Sequence, residues 1–266
     1  MENHTCRPAQ QPVSRPAPSH SSAKALAGAL RSLPEHLLAP RRCLVCGRSL
    51  EAAVLDLREA PVLCAGCRES LPRIEGELCR RCGVPLISEL GLCTSCRELQ
   101  SSLDGVRTLY AYREGAVSLI HALKEGGELP VARFLAGEIV AAALLSSATS
   151  LLVPIPPSRR GKRRRGFDHS LILARALSRR TGVPRRRLLS RRGGGAQKEL
   201  SREERLFNVA TQLRLRSGLL RGSLRLPAEV TLIDDVVTTG ATLEAAATLL
   251  RTAGVARVRA VVIARD

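Results

Sequence analysis

Tryptophan is absent from this chain, and its 266 residues include only two tyrosines, three phenylalanines and one methionine. A core without large rings has to be filled by Leu, Val, Ile and Ala, within a hydrophobic content of 44% that is ordinary for a globular protein. The same shortage argues against a nucleic-acid surface built on base stacking. Only Tyr110, Tyr112, Phe134, Phe167 and Phe207 could stack, so any single-strand binding should be led by the backbone phosphates. No basic-then-apolar leader opens the sequence. The longest apolar run, Ile139 to Leu145, is too short to cross a bilayer. The expectation is a soluble cytoplasmic protein with no membrane span. Acid is scarce: 24 acidic residues face 42 basic ones, a net charge of +18. That excess implies polyanionic partners, phosphates or nucleic acid, unless arginine has merely replaced lysine on a solvated surface. No Walker sequence ending in Gly-Lys-Ser/Thr occurs, nor a GxGxxG after a strand, which excludes the commoner nucleotide cradles.

Cysteine, by contrast, is plentiful. Eight of the nine form four knuckles, Cys43-x-x-Cys46, Cys64-x-x-Cys67, Cys79-x-x-Cys82 and Cys93-x-x-Cys96. Each knuckle aims two thiolates at one point, and two knuckles complete a tetrahedral Zn²⁺ site. The spacing reads as two Cys₄ zinc ribbons, 43/46 with 64/67 and 79/82 with 93/96, with crossed pairing left open. Disulfides are the weaker reading without a secretory leader. Eight protein thiolates leave no position for water, so both metals should be structural. The expected layout is a disordered tail with a short helix (Ala23 to Leu38) over residues 1–39, a double ribbon over 40–100, and an α/β domain over 101–266.

In that last segment strands and helices alternate, which implies a mostly parallel sheet flanked by helices. Expected elements are a strand at Val106–Tyr112, helices at Ala116–Leu123 and Pro130–Leu145, and a strand at Leu151–Ile155. A helix at Leu171–Arg180 and a last strand at Ala256–Ala264 complete the set. Between Arg159 and Arg192 lie fourteen Lys or Arg residues and one acid, Asp168. The densest part, Arg159 to Phe167, reads as a loop at the exit of a central strand, where α/β sheets bind ligands. Gly193, Gly194 and Gly195 before a polar segment predict a mobile lid.

The most informative stretch is VTLIDDVVTTGATLEAAATLLRTAG, Val230 to Gly254. A buried strand ends in Asp234 and Asp235, then a small-residue turn (Val236, Val237, Thr238, Thr239, Gly240, Ala241, Thr242) leads into a helix. Unpaired N–H groups of the turn and first helical turn, the helix dipole and three threonine hydroxyls suit a phosphate. The acidic pair cannot bind phosphate, because like charges repel. Its natural partner is a vicinal diol. Diol and phosphate together describe a phosphoribosyl group. An aspartate that merely caps the helix would need neither a second acid nor the hydroxyl cluster.

These residues closely resemble the phosphoribosyl-diphosphate (PRPP) signature of type I phosphoribosyltransferases, with Thr231 at a usually aliphatic position. From Pro40 onward the chain resembles the ComF family, the competence-associated proteins with a double zinc ribbon and a phosphoribosyltransferase-like domain. The likeness rests on the knuckles after Leu-Ala-Pro-Arg-Arg and on Val153-Pro154-Ile155-Pro156 leading to Arg165-Gly166-Phe167. It rests further on Gln197 with Leu200-Ser201 and Arg205, and on the PRPP motif. It departs at Asp168-His169, where the family usually has Asn-Gln, and at Gly161, where an arginine is usual. For Asp168 a structural use, such as ordering Arg163 or Arg164, stands beside a direct role in the diphosphate loop, and the choice is left open. The resemblance implies PRPP with Mg²⁺ held mainly by ribose hydroxyls and diphosphate oxygens. Asp234 and Asp235 would grip the diol as the catalytic pair, Val236–Thr242 the 5′-phosphate, and Arg160, Lys162 and Arg165 the leaving diphosphate. Gln197, Ser201 and Arg205 would close over the site. It implies a phosphoribosyltransferase with an unnamed acceptor, acting in DNA uptake or the use of imported DNA. The alternative is a module without turnover that binds single-stranded DNA beside other competence and DNA-processing proteins.

Overall fold

The computed structural model describes residues 41–50, 61–87, 91–191, 212–216 and 226–266. The expected tail helix, Gln197, Ser201, Arg205 and Phe207 lie outside the described residues. The chain forms two compact units, Met1–Ser70 and Leu71–Asp266. The division falls inside the expected ribbon segment, so the second cysteine cluster shares a unit with the sheet.

In the first unit, strands β1 (Arg41–Arg42) and β2 (Ser49–Leu50) form a short antiparallel pair around the first knuckle. Helix α1 (Ala65–Glu69) carries Cys67 of the second knuckle, with Cys64 at its N-cap. In the second unit α2 (Thr94–Glu98) repeats this arrangement with Cys93 at its N-cap and Cys96 inside.

Four parallel strands then build the main sheet in the order β3 (Gly105–Ala111), β8 (Arg257–Arg265), β7 (Glu229–Val237), β4 (Leu151–Pro154). Strands β7 and β8 are buried almost throughout, as expected of a parallel sheet covered on both faces. Helices α3 (Glu114–His121), α4 (Leu129–Ala141), α6 (His169–Thr181) and α7 (Ala241–Thr252) are the long ones. Strands β5 (Leu189–Arg191) and β6 (Leu213–Leu215) form an antiparallel pair. Leu, Val, Ile and Ala dominate the buried apolar residues, and Tyr110 is the aromatic among them, whereas Tyr112 is exposed. Thr231, out of place in an aliphatic strand, is buried against Thr149, with the two hydroxyl oxygens 2.9 Å apart.

The Arg159–Phe167 segment differs from expectation in one respect. It follows β4, which pairs with β7 on one side and exchanges backbone hydrogen bonds with Pro184 and Arg186 on the other, but it is helical: α5 spans Arg159–Arg165. Ser158 caps it by accepting from the Gly161 N–H at 3.0 Å. Like-charge repulsion along a basic run favours a loop reading. The cap, the good helix propensity of Arg and Lys, and the opposite charge of Glu125 beside Arg164 and Arg165 outweigh it.

One topological detail creates the site. Strand β4 stops at Pro154, level with Ile233, while β7 runs on through Asp234 and Asp235 to Val237. The last ladder bond is donated by the Ile155 N–H to the Ile233 carbonyl at 2.9 Å. Pro156 and Pro157 have no N–H to continue it. A notch is left beside the acidic pair.

Candidate phosphoribosyl site and metal clusters

The notch opens into a cleft of about 450 Å³, a size ordinary for small-molecule sites. Asp234 and Asp235 lie on one side and Arg160, Arg164 and Arg165 of α5 on the other, with Lys124, His169, Arg191 and Thr242 completing the polar lining. A smaller hollow of about 60 Å³, lined by Asp234 and the Val236–Leu243 bend, shares Asp234 and Thr242 with the main cleft. Gly240 sits at the α7 N-cap with φ of 79°, a left-handed conformation in which a Cβ is strained. Gly240 has no side chain to cap this helix; Thr239 Oγ1 accepts from the Ala241 N–H at 3.4 Å, and the next N–H groups of the first turn belong to residues that line the hollow.

Of the residues assigned to diphosphate, Arg160 and Arg165 reach the cleft. Lys162 is exposed and is not among the lining residues. It lies about 200° around α5 from Arg160, whereas Arg164 is about 40° away and does line the cleft. Gly161, where an arginine was expected, is the seat of the Arg165 guanidinium. A Cβ built there would stand 2.6 Å from Arg165 Nη2.

The two acids have unlike surroundings. Asp235 is buried, its Oδ2 2.6 Å from Lys124 Nζ and 3.3 Å from His169 Nε2, and its Oδ1 accepts from the Val236 N–H at 2.8 Å. Burial alone would raise its pKa, but the His169 hydrogen bond and the Lys124 charge hold it well below the usual carboxylate range. Asp234 Oδ1 accepts from Ser170 Oγ at 3.3 Å and from the Asp235 N–H at 3.0 Å. Burial and the adjacent Asp235 charge push Asp234 well above that range. The two environments push the carboxyls apart, Asp235 toward its charged form and Asp234 toward its protonated form.

Lys124, Ser170, Arg164 and Arg191 escaped the sequence reading. Lys124 comes from a π-helical turn, Ala122–Gly126, in a polar run with no periodicity to single it out. Such turns recur at functional sites. His169 was marked only as a departure from the family. Asp168 takes the structural one of its two readings, though by a different contact: it caps α6, Oδ1 accepting from the Leu171 N–H at 3.0 Å.

The cysteines fall into two groups, Cys43/Cys46/Cys64/Cys67 and Cys79/Cys82/Cys93/Cys96, with all four sulfurs of each within 4.8 Å of one another. Zn–S bonds of about 2.3 Å in a tetrahedron imply sulfur separations of about 3.8 Å. Cys46 and Cys64 lie 3.8 Å apart, and Cys82 and Cys93 3.7 Å. The Cys93 N–H also points at Cys79 Sγ, 3.4 Å away. Burial would raise the Cys79 thiol, but the Cys82, Cys93 and Arg81 backbone N–H groups bring it down to about 6. Both clusters fit Zn²⁺, held by thiolates alone.

Comparison with known proteins defines the class. A double zinc ribbon domain matches residues 35–97 and a phosphoribosyl transferase domain matches residues 168–266. The second match begins after β3 and β4, which the fold places in the same sheet. Competence protein ComFC of Bacillus subtilis is 26% identical over 78% of this chain and 88% of its own. Competence protein F of Haemophilus influenzae is 27% identical over 84% and 96%. DNA utilization protein YhgH of Escherichia coli is 28% identical over 74% and 87%. This domain order and these relatives support the resemblance to the ComF family. Among the described residues no helix is long and apolar enough to cross a membrane.

Proposed function

We propose that the cleft binds PRPP, and that this cytoplasmic protein acts in the uptake or utilisation of DNA. The observation that carries the reading is a cleft lined by the acidic pair and the arginines of α5, adjoining at Asp234 and Thr242 the smaller hollow of the bend before α7. A pentose lying on Asp234 and Asp235 would have its 5′-phosphate in the bend and its diphosphate against Arg160, Arg164 and Arg165. Asp234, pushed toward its protonated form, can donate to a sugar hydroxyl when it holds the proton and accept from one when it does not, whereas ionised Asp235 accepts only. Mg²⁺ suits the ligand's own oxygens better than Asp235, which already holds the Lys124 ammonium at 2.6 Å. Transfer from PRPP needs no protein nucleophile. The side chains orient the sugar and stabilise the departing diphosphate while an acceptor captures C1.

Calorimetry tests the diol assignment. Ribose 5-phosphate should bind more tightly than 2-deoxyribose 5-phosphate by about 10- to 150-fold, the worth of one hydroxyl to a charged carboxylate, and PRPP with Mg²⁺ more tightly than either. Equal affinity for the two sugars would end the assignment. Diphosphate release, screened over bases and DNA fragments, reads turnover.

A second reading, a DNA-binding module without turnover, is favoured by Arg159, Lys162 and Arg163, all exposed on α5. Three phosphate contacts predict that single-strand retention weakens roughly ten- to twentyfold between about 50 and about 200 mM salt. Retention indifferent to salt would contradict it.

A further inference from the structure

The π-helical turn carries opposite charges side by side: Lys124 lines the cleft, and Glu125, beside it, meets the α5 arginines that do. Lys124 meets Asp235 at 2.6 Å, and the next residue, Glu125, meets the arginines, its Oε1 2.6 Å from Arg164 Nη2 and 3.5 Å from Arg165 Nη1. We propose that Glu125 is an internal competitor for the ligand's diphosphate. Its carboxylate holds Arg164 and Arg165 until diphosphate takes both, which makes Arg164 a ligand-binding residue beside Arg165. The inference rests on the PRPP reading of the cleft and names a competitor within the same site.

Three observations carry it. Arg165 is a cation built into the wall: its side chain is 8% exposed, and its buried Nε has no hydrogen-bond partner among the described residues. A single carboxylate oxygen 3.5 Å away leaves most of its five donors unused, which a multivalent oxyanion would engage. Both arginines line the cleft that contains the acidic pair. The turn bearing Glu125 is held in place from α5's far end, where the Phe167 ring packs so closely on Gly127 that a Cβ there would be 2.9 Å from it. Glu125 itself is a third exposed, so it can swing into solvent without breaking the fold. Diphosphate, with more charge and more acceptor oxygens than a carboxylate, wins the exchange.

The test has an unusual sign, because removing a residue from the site should improve binding. Calorimetry with inorganic diphosphate and with PRPP, each with Mg²⁺, should show Glu125→Gln and Glu125→Ala binding both about two- to fivefold more tightly than wild type. Glu114→Gln removes an equal charge from the exposed first turn of α3 and should change neither. Arg164→Gln should weaken both. Unchanged or weaker binding in the Glu125 variants, or equal tightening in Glu114→Gln, overturns the proposal. Tightening for diphosphate with no binding of PRPP by any variant keeps the competitor and removes the PRPP reading. PRPP binding by wild type without tightening does the reverse, and binding of neither ligand by any variant overturns both.

Discussion

Cys79→Ser should cost the sheet domain its fold, while Cys43→Ser should leave that domain's thermal midpoint where it was. Each change removes one ligand from a Cys₄ cluster, and each should lower the zinc content from two per chain to one. The difference lies in what each ribbon supports. Cys43 belongs to the first unit, Met1–Ser70, whereas Cys79 is fully buried in the unit that contains the sheet. There the second ribbon completes an edge. Strand β3 ends the four-stranded sheet, and its outward N–H groups are taken by ribbon carbonyls: Val106 donates to Arg81 at 2.9 Å and Ala111 to Pro72 at 2.8 Å. Gly83, directly after the Cys82 knuckle, lies so close to the Val106 carbonyl that a Cβ would be 2.6 Å from it. The Arg265 guanidinium donates to the Cys82 carbonyl, and Arg73 pairs with buried Glu138, which also accepts from Tyr110 at 3.2 Å.

Metal binding supplies ~10–16 kcal/mol to a structural zinc site, as much as the ~5–15 kcal/mol by which a whole domain is stable. Losing it where the ribbon is part of the sheet's hydrogen bonding should expose β3. Hydrogen exchange at Val106 and Ala111 is the local readout, with melting and zinc content as the global ones. For Cys43→Ser the sheet domain's stability should stay within about 0.5 kcal/mol of wild type. Equal losses from the two variants would refute the asymmetry. So would full β3 protection in Cys79→Ser with one zinc missing.

The reach of the sequence follows physical range. The β7 strand, the bend and α7 were legible because their residues are contiguous and each carries a local requirement: aliphatics for burial, acids at the strand end, Gly240 for a left-handed cap. The cysteine clusters were legible for the same reason, four ligands falling in two short pairs. The alternating strands implied a parallel sheet, though not that β4 ends early, because its order depends on which strands meet far apart in sequence. The partners of the acids were not legible. Lys124 and Ser170 lie 111 and 64 positions from the acids they meet, and nothing in KEGGE marks the turn as π-helical. The α5 arginines were misjudged as a loop because their repulsion is local while the compensating Glu125 is 39 positions away. For Asp168 a structural use was one of two open readings, and its cap contact was not legible because it depends on where α6 begins.

Neutralising either aspartate should have opposite consequences for stability. Asp235→Asn leaves Lys124 and buried His169 facing an amide instead of a charge, and should destabilise the domain by about 2–3 kcal/mol at neutral pH. Asp234→Asn replaces a carboxyl whose charged form is disfavoured by burial and by Asp235 with a neutral group of the same shape, and its Oδ1 can still accept from Ser170 and the Asp235 N–H. It should be neutral or stabilising. The pH profiles separate the two further. Because folding lowers the Asp235 pKa, its stabilisation is present above the unfolded value of ~3.9 and is lost as pH falls below it. Because folding raises the Asp234 pKa, its contribution is present below the unfolded value and is lost as pH rises through the folded one. Asp235→Asn should therefore flatten the acid limb of the stability curve and Asp234→Asn the limb above it, both followed by chemical denaturation across pH. Ligand binding should follow the same division. Losing a charged acceptor at Asp235 should weaken PRPP about 10- to 150-fold, and exchanging the Asp234 carboxyl for an amide, which keeps a donor and an acceptor, about tenfold or less. Greater harm from Asp234→Asn, in stability or in affinity, would mean that the proton sits on the other carboxyl and that Lys124 and His169 do not set the charge of this pair.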